Sequence, residues 1–319
     1  MAMRESEEPL FAEQFQSIVS NIGKAILGKP DVLDLAVTCL LAEGHLLIED
    51  APGVGKTSLA KALAVTVQAE FGRIQFTPDL LPSDVVGATI WNRAANSLDF
   101  QPGPVFSGIV VADEINRASP KTQSALLESM AERQVTVDGT THSLPRPFMV
   151  IATQNPLEHE GTYPLPESQL DRFLMRIEVG YPSKQAELEI LDAHGTDNPL
   201  DTLRSAVDSH AINALADHAS AVFMAPGIKR YLVQIASATR DHPSLALGMS
   251  TRATLALQRA SRVRAASQGR DYVLPDDVKQ LAAPVLAHRL LLDPQARSRG
   301  TPAAHIVEKI MSSVPVPVD

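Results

Sequence analysis

The chain has 319 residues, 45% of them hydrophobic and 20% charged, with a formal net charge of −9. At roughly 150 residues per domain, that length predicts about two domains and a core large enough to fold without staples, and the composition excludes wholesale disorder. The acidic balance speaks against a generic binder of nucleic acid or anionic membrane, and 4% aromatic residues with a single Trp, Trp91, speak against a base-stacking platform.

Residues Met1 to Pro9 carry Glu5, Glu7 and Glu8, the wrong charge for the start of a signal peptide. No stretch reaches the roughly 18 apolar residues of a membrane span. The sequence therefore reads as soluble and cytoplasmic. Cys39 lies in the apolar run Leu35 to Leu41 and is expected to be a buried thiol, as in a reducing compartment. Up to about Pro182, apolar runs alternate with helical stretches. The runs are His45 to Ile48, Ile109 to Ala112 and Phe148 to Ala152, and each leads into a polar or Gly-rich turn. Buried strands alternating with helices predict an α/β sandwich around a mostly parallel sheet over residues 1–182. From Ser183 onward, Ala and Leu recur at helical spacing, with a cap at Ser250 and a stop at Gly269. Residues 183–319 are thus expected to form a small all-helical domain. The tail Val314 to Asp319 alternates Val and Pro, so it cannot be helical and is expected to fray.

The most informative segment is Asp50-Ala51-Pro52-Gly53-Val54-Gly55-Lys56-Thr57, set between an apolar strand and a helix that opens at Ser58. Glycines let the backbone turn its N–H groups inward around a β-phosphate. The helix N-terminus adds positive potential, Lys56 supplies a mobile charge, and the Thr57 hydroxyl is a ligand for Mg²⁺. Asp50 stands where the usual pattern has Gly, and Asp tolerates left-handed backbone better than most residues.

Ile109 to Ala112 ends in Asp113 and Glu114. With this strand beside the phosphate-loop strand, Asp113 would face Mg²⁺ through water. Glu114 would orient and polarise a water near the γ-phosphate, favouring hydrolysis over phosphorylation of a small acceptor. Ser119-Pro120 then predicts a capped helix running to about Glu132. Alternation around Asp138-Gly139 predicts a hairpin over 134–144. The strand from Phe148 ends in Gln154-Asn155, where Asn155 is either a partner for the attacking water or a turn residue before Pro156.

These motifs, with Gly161-Thr162-Tyr163-Pro164-Leu165-Pro166-Glu167, Leu170-Asp171-Arg172-Phe173, Met249-Ser250-Thr251-Arg252-Ala253, Asp276-Asp277-Val278 and Ala287-His288-Arg289, resemble the MoxR family of AAA+ ATPases. The resemblance covers about Phe11 to Val314. It implies an αβα core with a helical lid, ATP and Mg²⁺ held between them, and assembly into a ring, usually hexameric. It implies that Pro52, Gly53, Val54, Gly55, Lys56, Thr57 and Ser58 hold the phosphates, that Gly28 lines the adenine pocket, and that Thr57 and Asp113 serve the metal. Glu114 then activates water, Asn155 is the first sensor and Arg252 the second, both in cis, and Arg172 is the arginine finger acting in trans. The segment at about 84–104 matches an insert in the second core helix. The family's lid motif has Ser-Pro-Arg where this chain has Ser250-Thr251-Arg252. Partners carrying a von Willebrand factor A domain, matured by a chaperone-like action, are implied as well.

Other residues carry weaker signals. On the residues alone Arg172 reads as an ion-pair partner of Asp171 or as a charge for a transferring phosphoryl group. Arg252, Arg259, Arg262 and Arg264 make a basic helix, a nucleic-acid stripe on one reading and a solvated face with one phosphate-sensing Arg on the other. Arg117 suits a contact to a neighbouring subunit or a helix cap. His142 and His159 are expected in exposed loops. No transition-metal ligand pair and no Gly-x-Ser-x-Gly motif is present. Two further hypotheses stand beside the ATPase: an ATP-controlled assembly switch with little hydrolysis, and a DNA-dependent motor, which the acidic charge disfavours.

Overall fold

The computed structural model describes residues 8–155, 161–193 and 198–317. Glu5, Glu7, Pro156, His159, Val318 and Asp319 lie outside the described residues. Helices α1 (Glu8–Gly23) and α2 (Pro30–Leu41) precede β1 (Leu46–Glu49), α3 (Lys56–Thr66) and β2 (Phe71–Gln75). The short α4 (Pro82–Val86) leads into a hairpin of β3 (Gly87–Asn92) and β4 (Ser97–Pro102). Next come β5 (Ile109–Asp113), α5 (Pro120–Glu132), a second hairpin of β6 (Gln134–Val137) and β7 (Thr140–Ser143), β8 (Met149–Gln154), α6 (Glu167–Leu170) and β9 (Met175–Ile177). The remaining chain is mostly helical: α7 (Lys184–Ala193), α8 (Pro199–Thr202), α9 (Ser209–Ala221), α10 (Pro226–Arg240), β10 (Leu245–Leu247), α11 (Thr251–Ser267), α12 (Pro275–Leu286), β11 (Leu291–Leu292), α13 (Pro294–Ser298) and α14 (Ala303–Ser313).

The central sheet is parallel throughout, in the order β2-β5-β8-β1-β9. Side chains alternate across it. Leu46 and Ile48 enter a core shared with α1, α2 and α3, whereas Leu47 enters a second core against α5. Both faces are covered, which is why these strands read as continuous apolar runs. The capped helix at Ser119 forms as expected: the Ser119 hydroxyl accepts from the Thr122 N–H, Pro120 takes the first helical position, and Arg133 ends the helix at φ +52°. Ser250 likewise caps α11, accepting from the Ala253 N–H at 3.0 Å.

Two readings are corrected by the packing. The strand carrying Asp113 is not beside the phosphate-loop strand, because β8 pairs with both β1 and β5 and lies between them. The C-terminal tail is not helical; Val314 is buried in the main core and Pro317 sits against Gly227, while Pro315 and Val316 between them are exposed, so the described tail is held at two points. A single apolar cluster runs from Phe11 through Leu63 to Leu257 and Val285. The change in composition near residue 182 is therefore no break in the packing.

Of the C-terminal helices, α9 and the turn after α12 dock on the N-terminal ends of the strands. Arg146, just before β8, pairs with Asp217 of α9 at 2.6 Å. His288, after α12, meets the Phe173 carbonyl just before β9 at 3.0 Å. The phosphate loop follows β1 and so lies at the opposite, C-terminal end of the sheet. Among the described residues, no helix is long and apolar enough to cross a membrane.

Candidate functional site

Gly53 and Gly55 adopt φ of +84° and +89°, backbone that L side chains rarely accept. A Cβ added at either meets nothing within 4 Å, so the space over the loop is open. Gly55 is the N-cap of α3 and brings no capping side chain. The N–H groups of the first turn therefore face that space with only the backbone to direct them, the arrangement that suits an anion. The Lys56 ammonium folds back to the Asp50 carbonyl at 2.6 Å. Asp50 is more than a tolerated substitute for Gly. Its carboxylate accepts from the Ala51 N–H at 2.8 Å and from the Gly180 N–H at 2.5 Å, pinning the loop to the segment after β9. Lys29 donates to the Tyr181 carbonyl at 2.7 Å. Gly28, at φ +71°, lies against α7, where a Cβ would come within 2.5 Å of the Ala186 Cβ. Gly28 and α7 thus flank the loop on the β9 side.

The two acids reach the loop in spite of the intervening strand, because α3 packs over β5. The Thr57 hydroxyl stands 3.4 and 3.5 Å from the two Asp113 carboxylate oxygens. Asp113 is buried and held by neighbours that the sequence alone does not reveal. Arg73, one strand further on, donates to it at 2.8 Å, and the Thr153 hydroxyl donates at 3.3 Å. The same Thr153 oxygen accepts from the Glu114 N–H at 2.9 Å. Glu114 itself sits at φ +56°. Its carboxylate accepts from Gln75 at 3.1 Å and pairs with Arg117 at 2.9 Å. Arg117 thus joins the acid site. Gln154 pairs in register with Glu49, which sets Asn155 at the tip of β8, between the phosphate loop and the acids.

Thr57 and Asp113 offer two hard oxygen donors. Among the described residues no group of three or more His, Cys, Asp and Glu side chains could hold a metal alone. Two protein oxygens with the rest of the shell from water and phosphate is the pattern that Mg²⁺ prefers, so the residues present fit a Mg–nucleotide.

Arg172 and Arg252 are not part of this cluster. Both line a cavity with His45 and Leu174, at the N-terminal ends of β1 and β9. The four residues of β1 alone set this cavity about 13 Å from the loop. A cis role for Arg252, with nucleotide between sheet and lid, does not match this placement. The cause is the path of the chain: after α7 it runs beside α3, where the Ala206 N–H bonds the Thr66 carbonyl at 2.9 Å, and α9 starts beyond the far end of that helix. Arg172 donates to the Leu127 carbonyl of α5, and Asp171 pairs with Arg289 at 2.7 Å, so the local ion pair goes to Arg289. His142 lies on β7 and stacks on Phe100, with ring centroids 4.1 Å apart. Cys39 is buried and free, and burial pushes its thiol far above the usual range.

Comparison with known proteins agrees with this geometry. Residues 45–175 match the model of an ATPase family associated with various cellular activities (AAA), and residues 237–310 match an AAA lid domain. The protein YeaC of Bacillus subtilis, itself uncharacterised, is 49% identical over 100% of this chain and 98% of its own length. Chaperone MoxR1 of Mycobacterium tuberculosis is 39% identical over 94% of this chain and 81% of its own. A crystal structure of a candidate ATPase from Cytophaga hutchinsonii superposes with a TM-score of 0.92 at 37% identity, covering 98% of this chain and 97% of that one. On the strength of the loop, the acid pair, the lid and these relatives, the chain belongs to the MoxR family of AAA+ ATPases.

Proposed function

We propose that the protein hydrolyses ATP in a Mg²⁺-dependent way at the loop formed by Asp50 to Ser58, and that the reaction is completed by a second copy. The observation that carries this reading is the split itself. Lys56, Thr57, Asp113, Glu114 and Asn155 gather at one end of the sheet, while Arg172 and Arg252 gather at the other. Loop N–H groups and Lys56 hold the phosphates. Thr57 and Asp113 hold Mg²⁺, which when bound neutralises phosphate charge. Glu114 takes the proton of a water that Asn155 orients. Arg172 and Arg252, presented by a neighbouring copy, stabilise charge on the transferring phosphoryl group.

The family resemblance supports a ring, usually of six, and a client protein with a von Willebrand factor A domain that the ring matures. The name of the mycobacterial relative supports a chaperone role. The steady-state ATPase rate per subunit, measured against protein concentration for wild type and Glu114→Gln, tests the proposal. A wild-type rate that rises with concentration, with the variant inactive, is expected. ATP binding without turnover at any concentration would favour the assembly switch instead. That second reading draws on the Arg117–Glu114 ion pair, which occupies the base.

A further inference from the structure

On α11, Arg252, Ala256 and Arg259 stand at i, i+4 and i+7, one face of the helix, and all three border a cavity of about 160 Å³. Arg133, Arg172 and Arg289 close it, so five guanidinium groups meet only two carboxylates, Glu43 and Asp171. Both acids are already engaged. Glu43 pairs with Arg133 at 2.9 Å and Arg146 at 2.8 Å. Asp171 pairs with Arg289 at 2.7 Å and accepts from Ser250. His45 adds no counter-charge: burial holds its pKa down to about 4.

Arg252 and Arg259 make no hydrogen bond or ion pair among the described residues. The Nε–H groups of Arg172 and Arg289 are also buried without a partner. Arg252 and Arg259 are exposed at the mouth of the cavity, and desolvation together with the like charge of Arg133 still pulls the Arg259 pKa below the usual arginine range. Five guanidinium groups gathered around two engaged carboxylates repel one another, a charge surplus that an anion would offset. The small side chain of Ala256 keeps the space between the two free arginines open. The cavity opens to solvent, so a phosphoryl-sized group can enter it from outside.

We infer that Arg259, together with Arg252, is a ligand of a phosphoryl-type oxyanion in this cavity. Arg259 is thus a binding residue beyond the pair assigned to the trans site. The same chemistry has two sources: free inorganic phosphate, which needs one chain, or the terminal phosphate of ATP held by a second copy. Only the second source rests on the ATPase reading.

The test uses the full chain carrying Lys56→Ala, which disables the phosphate loop. In a first arm inorganic phosphate is titrated at constant ionic strength and the thermal midpoint is read. In a second arm the same chain is mixed with ATP-loaded Glu114→Gln, and association is read by sedimentation. Adding Arg259→Gln, or Arg259→Met to keep the apolar stem should the Gln variant fail to fold, is expected to raise the anion-free midpoint. The same change is expected to weaken the phosphate response or the ATP-dependent association by about tenfold or more. Loss in the first arm names free phosphate, and loss in the second names the neighbour's nucleotide. If both responses persist at full strength in a folded variant, or if its anion-free midpoint falls, Arg259 is a packing residue and the inference is overturned. Neither arm requires turnover, so an inactive ATPase would not produce that result.

Discussion

Arg289, only 5% exposed, donates to the Asp171 carboxylate at 2.7 Å and, through its other nitrogen, to the Phe173 carbonyl at 2.5 Å. The turn after α12 therefore grips the loop that carries Arg172. Asp171→Asn should lower unfolding free energy by about 3–5 kcal/mol, because it leaves a buried guanidinium uncompensated. Combining it with Arg289→Met should recover most of that loss. Chemical denaturation of the three variants checks both statements.

The phosphate loop and the acid pair should separate cleanly in kinetics. Lys56→Ala should lose nucleotide binding. Glu114→Gln should bind ATP normally and lose turnover by about 10²–10⁴-fold, the share a positioned base contributes. Equilibrium binding of a fluorescent ATP analogue beside single-turnover hydrolysis decides each. Unchanged affinity in Lys56→Ala would remove the loop assignment.

Because Arg172 and Arg252 stand away from their own loop, Arg172→Ala and Arg252→Ala should each leave nucleotide affinity near wild type. Turnover should fall, by up to about 10³-fold for Arg172. Mixing Arg172→Ala with Lys56→Ala should restore some activity, since one copy then offers an intact loop and the other an intact arginine. Lack of rescue in demonstrably mixed assemblies would show that Arg172 does not act in trans.

Stability should weaken on acidification through His45. Its Nδ1 accepts from the Val150 N–H at 3.0 Å and its Nε2 meets the Met130 carbonyl at 3.0 Å, and burial lowers its pKa to about 4. The unfolded chain, with His near 6.5, binds the proton first. The stabilisation is therefore complete above about pH 6.5 and is lost as pH falls toward 4, on the order of 3 kcal/mol in all. His288, also held well below its usual range by burial, adds a slope of the same sign. In His45→Gln the pH dependence of denaturant unfolding should shrink by about one proton. An unchanged slope would show that His45 does not titrate on unfolding.

What the sequence discloses about this site follows how local each feature is. Gly53 to Thr57 is legible because one turn and the first residues of one helix make the cradle, and all of it lies within a few residues. The cap at Ser119 is legible for the same reason. Arg73 was not, since its bond to Asp113 depends on β2 lying beside β5, and strand order is not written in either strand. Thr153 was hidden likewise: its hydroxyl joins Asp113 to the Glu114 N–H only because β8 lies beside β5. The motif around Arg252 marks the residue but not its place. That place depends on the route of residues 199–207 past α3, a segment with no periodic signal.

The separation of the two clusters along the sheet also restricts symmetry. A two-fold contact that brings the loop of one copy to the arginines of the other also does the reverse, which requires both clusters to lie within one shared patch. A head-to-tail contact instead uses the two ends separately, and it leaves one loop and one arginine cluster unmatched at the termini of an open chain. In a ring built on the proposed trans reading, the last subunit to join would complete two sites at once: its own loop would receive the preceding copy's arginines, and its own arginines would reach the first copy's loop. Activity per subunit is then a measure of closure, and an open string of n copies has at most n − 1 working sites.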